Sequence, residues 1–214
     1  LINNYFARFT PNTGLNSNAS FAFTVTDTDG GPVTRTMNLF FTPAAHSYQA
    51  VWHGDDLTNH WNTLGDHNWS DGISLLYQFH AGEAVKFDDT GSTNPAVNLS
   101  GALQPASVFV DAKKNYTFGG GGALTGTMTL TKTNTGALTI NTTNTFTGAT
   151  VVSNGAVIVN GALNQSAVTV RATGTVGGNG QLGNGLTMLT GGSLTPGNGN
   201  GAPAAGCGRS LGAG

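Results

Sequence analysis

The sequence predicts an all-β chain: a parallel β-solenoid preceded by a short antiparallel module. Three observations predict it. Glycine-led segments recur at nearly constant spacing: Gly136-Ala-Leu-Thr-Ile140, Gly155-Ala-Val-Ile-Val159, Gly174-Thr-Val-Gly-Gly178 and Gly192-Ser-Leu-Thr-Pro196 open 19, 19 and 18 residues apart. Residues 5–42 alternate apolar and polar side chains, the period of a strand. No segment has 3.6-residue apolar spacing free of glycine and β-branched residues, so helices are excluded.

Composition narrows the class. The chain has 214 residues, 33 of them glycine, with 8% charged residues and a net charge of −2. That length suits one large or two small domains. The few charges exclude a coiled coil and a charge-driven disordered tail. No basic stretch exists to hold nucleic acid or an acidic membrane. No run of about 18 apolar residues predicts a membrane-spanning helix. One cysteine, Cys207, excludes an internal disulfide framework and a cysteine zinc site.

The N-terminal part, residues 1–43, reads as a hairpin. Phe21, Phe23 and Val25 share one face, a looser repeat runs from Val33 to Phe41, and Asp27-Thr-Asp-Gly-Gly31 is the turn. The stretch from Asn18 to Gly31 resembles the last strands of a bacterial cadherin-like or immunoglobulin-like surface module. Such modules have about seven strands, so only part of one is expected. Its Phe6, Phe9, Phe21, Phe23, Leu39 and Phe41 would then form an open apolar face, an assembly surface for a neighbouring copy. The chain begins at Leu1, in what reads as the middle of a domain, so it is expected to be a fragment or a processed piece. Pro43-Ala-Ala-His-Ser47 reads as a linker.

Residues 44–95 read as a polar, aromatic capping segment with short strands at Gln49–Trp52, Leu75–Phe79 and Ala84–Phe87. Residues 96–200 hold the repeats. A second series, opened by Gly148, Ser166 and Gly185, interleaves with the first at spacings of 18 and 19. Each repeat thus carries two strands. One copy cannot bury both faces, but stacked copies can, with equivalent strands paired in parallel. Ala137–Ile140, Ala156–Val159 and Thr175–Gly177 should stack, with Thr127, Thr129, Thr139, Thr169 and Thr187 turned outward. Residues 201–214 read as an irregular tail.

The repeat motifs are specific. Leu130-Thr-Lys-Thr-Asn-Thr-Gly-Ala-Leu-Thr-Ile140, Asn144-Thr-Phe-Thr-Gly-Ala-Thr150, Val176-Gly-Gly-Asn-Gly180 and Leu194-Thr-Pro-Gly-Asn198 resemble the bacterial autotransporter-associated β-strand repeat over residues 125–200. The segment from Trp52 to Gly91 is similar to one that precedes such repeats in large bacterial surface proteins. The resemblance implies a passenger-type solenoid at the cell surface or outside the cell, and it carries no chemistry.

Candidate chemistry is confined to the N-terminal half. All ten carboxylates lie between Asp27 and Asp111, and all five histidines precede Glu83. No catalytic residue is expected after Asp111, and neither catalysis nor a cofactor is expected of the chain. His53, Asp55, His60, Asp66 and His67, with Asp56 and Asp71 nearby, have the residue types of a metal site; the alternative is a polar loop over the first solenoid turn. Asp27 and Asp29 could hold calcium or bond their own turn. Gly178–Gly183 matches GxGxxG, but no helix pattern or acidic residue follows, so it reads as a solenoid corner. Gly208–Gly212 matches GxSxG without the strand and helix a nucleophile elbow needs.

Trp52, Trp61, Trp69 and Tyr77 could stack on sugar rings, or they could be core. The leading expectation is an extracellular structural or adhesive segment, a filament or surface-layer subunit whose partners are other copies or the rest of a larger surface protein. The alternative is a carbohydrate-binding or accessory segment of a secreted polysaccharide-acting enzyme, with glycans as partners.

Overall fold

The computed structural model describes residues 19–25, 33–39, 49–70 and 76–197. The chain forms two compact units, Leu1–Ala44 and Ala45–Gly214. In the first, β1 (Ala19–Val25) and β2 (Val33–Leu39) pair antiparallel, with Phe21 opposite Met37, Phe23 opposite Arg35 and Leu39 opposite Ala19. The predicted turn with Asp27 and Asp29, together with Phe6, Phe9 and Phe41, lies outside the described residues.

The second unit is a parallel β-solenoid of about six turns. It opens with β3 (Ala50–Trp52), β4 (His60–Trp61), β5 (Trp69–Ser70) and β6 (Leu76–Tyr77). The next turn is β7 (Ala84–Phe87), β8 (Ala96–Leu99) and β9 (Ala102–Leu103). Then come β10 (Ser107–Asp111), β11 (Tyr116–Gly120) and β12 (Ala123–Leu124), followed by β13 (Thr129–Thr133), β14 (Ala137–Ile140) and β15 (Thr143–Asn144). In the following turns the first two strands fuse through the corner, giving β16 (Thr150–Val159) with β17 (Ala162–Leu163) and β18 (Val168–Gly178) with β19 (Gln181–Leu182). β20 (Leu186–Met188) and β21 (Ser193–Pro196) are the last described strands. The described residues contain no helix, and so none that could cross a membrane.

Three ladders run along the solenoid. The first joins β3, β7, β10, β13, β16, β18 and β20, and the second joins β4, β8, β11, β14, β16, β18 and β21. The third is short and falls into two pieces, β9–β12 and β15–β17–β19. Ala137, Ala156 and Thr175 share one register, as the glycine spacing predicts. The second series is offset by one from the sequence reading. Val168 pairs with Leu186, so Gly185 stands level with Ala167 rather than Ser166. The ladders also begin before residue 96, because β3, β4 and β7 already pair in parallel with the next turn.

Alternation puts every second residue in the lumen. On the first ladder Val85, Val108, Leu130, Thr150, Val168 and Leu186 stack, beside Phe87, Val110, Lys132, Val152, Val170 and Met188. On the second, Tyr116, Leu138, Val157, Val176 and Leu194 stack in the same way. Each fully buried Val, Leu, Ile or Phe contributes about 1.5–3 kcal/mol. Glycine is obligatory where one turn's corner lies on the carbonyls of the turn before. A Cβ at Gly161 would collide with the carbonyl of Thr142, and one at Gly136 with those of Lys114 and Ala112. This is why the glycines recur at the repeat length.

Candidate functional site

The N-terminal end of the solenoid is closed by antiparallel pairing, β3 with β5 and β5 with β6. This packs the aromatics inward. Trp52, Trp61 and Trp69 are at most 1% exposed and Tyr77 is buried. Trp69 meets Trp52 and Trp61 edge to face, both with ring centroids 5.0 Å apart, and Phe87 stacks on Trp52 at 5.5 Å. These four residues were candidate sugar-stacking groups. The three indoles pack on one another and Tyr77 is buried with its ring stacked on His80, so none presents a platform to solvent. The indole N–H groups of all three tryptophans are buried without an acceptor.

The histidines and carboxylates nearby do not converge. Among the described residues no three of His, Cys, Asp and Glu meet as a metal site. Of the candidates His53, Asp55, His60, Asp66 and His67, only His60 and Asp66 come together, Nδ1 to Oδ2 at 3.4 Å, and Asn62 Nδ2 also donates to that oxygen at 2.6 Å. His53 Nδ1 lies 2.7 Å from the Gly54 carbonyl, and His67 is exposed. The carboxylates are used by the loop itself. Asp55 Oδ1 accepts the backbone N–H groups of Leu57, Thr58 and Asn59, and Oδ2 accepts the Thr58 hydroxyl. Asp56 Oδ1 reaches across to the next turn, accepting the Ser92 hydroxyl at 2.6 Å and both the N–H and the hydroxyl of Thr93.

These bonds set the electrostatics of the loop. Burial pushes the Asp55 pKa up, but the Thr58 hydroxyl and the three backbone donors outweigh it, so the net direction is down. Asp56 is held down to about 2, first by the Ser92 hydroxyl and then by Thr93. The loop is tightly wound, with positive φ at Gly54, Asp56 and Asn59. It carries Leu57 outward, 82% exposed.

Several other titratable groups of the solenoid are held by hydrogen bonds at its corners. Asp89 Oδ1 accepts the N–H groups of Lys113 and Lys114, while Lys114 Nζ donates to the carbonyls of Gly91 and Ser92. Asp111 Oδ1 accepts the Thr133 hydroxyl at 3.1 Å. Lys132 has no exposed surface and donates to the carbonyls of Thr133 and Asn134. Burial lowers its pKa to about 8, against the opposing pull of Asp111 and Asp89. Tyr116 donates its hydroxyl to the Asp88 carbonyl at 2.7 Å, and burial, then Asp88 and Asp89, push its pKa up. Glu83 is fully buried, accepting the N–H of His80 at 3.0 Å and facing its Nδ1 at 3.2 Å. The GxGxxG stretch Gly178–Gly183 is the corner between β18 and β19, with strand rather than helix beside it, and Ser210 lies outside the described residues.

One surface feature escaped the sequence reading. A groove of about 280 Å³ runs between the 54–59 loop and the outer face of β8 and β11. Leu57, Thr58 and Asn94 wall it, and Asn98, Thr117 and Gly119 are among its floor residues. Nothing lies within 4 Å of where a Cβ on Gly119 would stand. No single motif marks the groove, because its two walls come from different turns.

No protein family, no curated protein and no solved structure matches the chain.

Proposed function

We propose that the chain is a structural and adhesive segment of an extracellular bacterial surface protein, with the solenoid as a passenger-type spacer and no catalysis of its own. The observation that carries the reading is the continuous first ladder from β3 to β20, in which each turn pairs only with its neighbours. Such a stack is quasi-one-dimensional and adds about 4.8 Å of length per turn. Its work is mechanical: it holds whatever flanks it apart and offers a long, nearly uncharged side. The use of Asp89, Asp111, Lys114 and Lys132 as corner ties supports the absence of acid–base chemistry there. The resemblance of the repeat motifs to the autotransporter-associated repeat supports the surface location. Other copies of the chain, or the rest of a larger surface protein, are its partners. The apolar residues of the first unit (Phe6, Phe9, Phe21, Phe23, Leu39 and Phe41) are the proposed assembly face.

The test is antibody labelling of intact source cells. Labelling without permeabilisation is expected. Signal only after permeabilisation removes the surface role. Light scattering of the purified chain tests assembly, since a concentration-independent monomer excludes a filament subunit.

A further inference from the structure

We propose that the groove between the 54–59 loop and strands β8 and β11 is a binding site for a neutral sugar ring. This goes beyond the spacer reading and does not depend on it.

The hollow comes from a missing side chain in a row of amides. Gly119 pairs with Asn98 on the turn before. Asn141 follows Ile140, the partner of Phe118, and so stands level with Gly119 on the turn after. One turn further, Asn160 Nδ2 donates to Asn141 Oδ1 at 3.0 Å. The row thus runs amide, gap, amide, amide, and the gap is open to solvent. An ordinary L-residue would fit there, because the Gly119 backbone is not left-handed and nothing crowds it.

The wall over the gap is rigid. Asp55 and Asp56 together tie the 54–59 loop to itself and to residues 92–94. The loop holds two non-glycine residues at positive φ, a cost that the surrounding bonds have to sustain. What that loop displays is Leu57, whose side chain has almost no contact with the core. A site held in shape before binding loses less entropy when its ligand arrives.

The lining defines the ligand's chemistry. The Asn98 amide and the Thr117 hydroxyl make no side-chain hydrogen bond among the described residues, so both are available. An amide offers donor and acceptor together, and a hydroxyl can be either, which matches the mixed demand of sugar hydroxyls. Leu57 supplies the apolar cover for a ring face. The ionised carboxylates of Asp55 and Asp56 on the loop disfavour an anion. The floor is a sheet face with both strands already paired, so an extended peptide finds no edge to join. The volume of about 280 Å³ is at the small end for ligand pockets and suits a single ring.

The experiment is an NMR titration of the isotope-labelled full chain with glucose, galactose, mannose and N-acetylglucosamine, and separately with glucuronic acid. Shifts at Asn98, Thr117, Gly119 and Gly120 with at least one neutral sugar at millimolar concentration are expected. Gly119→Leu fills the gap and Leu57→Ser removes the cover, so each variant should lose the response. The second variant changes a solvent-exposed side chain and leaves the fold alone. No response to any neutral sugar, a response that survives either variant, or an equal or stronger response to glucuronic acid overturns the proposal.

Discussion

Asn144 Oδ1 accepts the backbone N–H of Leu124 at 2.8 Å, across the break in the third ladder. The same side chain donates from Nδ2 to the carbonyls of Thr142 and Ala162, at 3.0 and 3.3 Å. One buried amide therefore joins three successive turns, and it bridges the break between β12 and β15, where the Thr145 N–H also donates to the Leu124 carbonyl. The equivalent residues are leucines: Leu103, Leu124, Leu163 and Leu182. Restoring the repeat with Asn144→Leu looks stabilising from the sequence, since it completes an apolar stack. The structure predicts the opposite, because it leaves a buried N–H without its acceptor. A loss of about 1–3 kcal/mol is expected in urea unfolding, and a variant as stable as the parent would show that the amide bridge contributes nothing.

Lys132 predicts an alkaline gain in stability. Its folded pKa of about 8 lies below the ordinary 10.5. Below pH 8 the group is charged in both the folded and the unfolded chain, and the full cost of burying the charge is felt. Between pH 8 and 10.5 the unfolded chain holds the proton and the folded one does not, so stability rises with pH. The rise is at most about 3 kcal/mol. In Lys132→Met this increment should vanish, leaving the other groups' pH dependence. Parallel pH–stability curves for parent and variant over that range would disprove the assignment.

Two glycines of the same surface separate crowding from flexibility. Gly161→Ala drives a methyl into the Thr142 carbonyl, and the turn must shift to accept it. Gly119→Ala meets open space at a backbone angle that any residue can adopt. The first should cost at least about 1–3 kcal/mol, the scale of overpacking. The second should be neutral or stabilising by about 0.4–1 kcal/mol, through the unfolded chain. Similar melting temperatures for the two variants would contradict the stacking geometry.

The solenoid was legible because its glycines are imposed by the backbone. Gly136, Gly155 and Gly174 each sit on carbonyls of the preceding turn, so the spacing of glycines is the spacing of turns. The first ladders were harder to read because their turn length varies. Val108 pairs with Leu130, 22 residues on, while Thr150 pairs with Val168, 18 residues on. The one-residue offset at Gly185 has a similar cause: that glycine has positive φ but open space around it, so it marks a turn and not a register. The candidate site was read least well. Trp, His and Asp clustered in sequence, yet residue types do not say which face of a two- or three-residue strand is inward. Burial took the tryptophans, and backbone donors took Asp55 and Asp56.

Asp56 predicts an acid-labile tether between the 54–59 loop and the next turn. A folded pKa of about 2, below the ordinary 3.8, means that its contribution is complete above pH 3.8. It is lost as pH falls through the folded value. Amide signals of Thr93 and Asn94, which donate to this carboxylate, should move together with a midpoint near that value. Asp56→Asn should remove the transition and leave the signals of β14 and β16 unchanged. A midpoint at the ordinary carboxylate value would mean that the tether does not hold in solution.

The tryptophan cap predicts an asymmetry between two substitutions. Trp69 meets Trp52, Trp61, Phe79 and Phe87 through its rings, with centroids 5.0–6.0 Å apart. Its indole N–H has no acceptor. A buried polar group without a partner carries a desolvation cost, so removing it returns part of what the smaller ring loses in packing. Trp69→Phe keeps an aromatic face against all four neighbours and should cost no more than about 1–2 kcal/mol. Trp69→Ala empties the centre of the cluster and should cost about 3–5 kcal/mol. It should also expose the β3–β5 edge, seen as faster amide exchange at Val51 and Trp52 than at Val157 or Val159. If the phenylalanine variant is as damaging as the alanine one, the N–H has a partner in solution, and the cap is held by that hydrogen bond as well as by its rings.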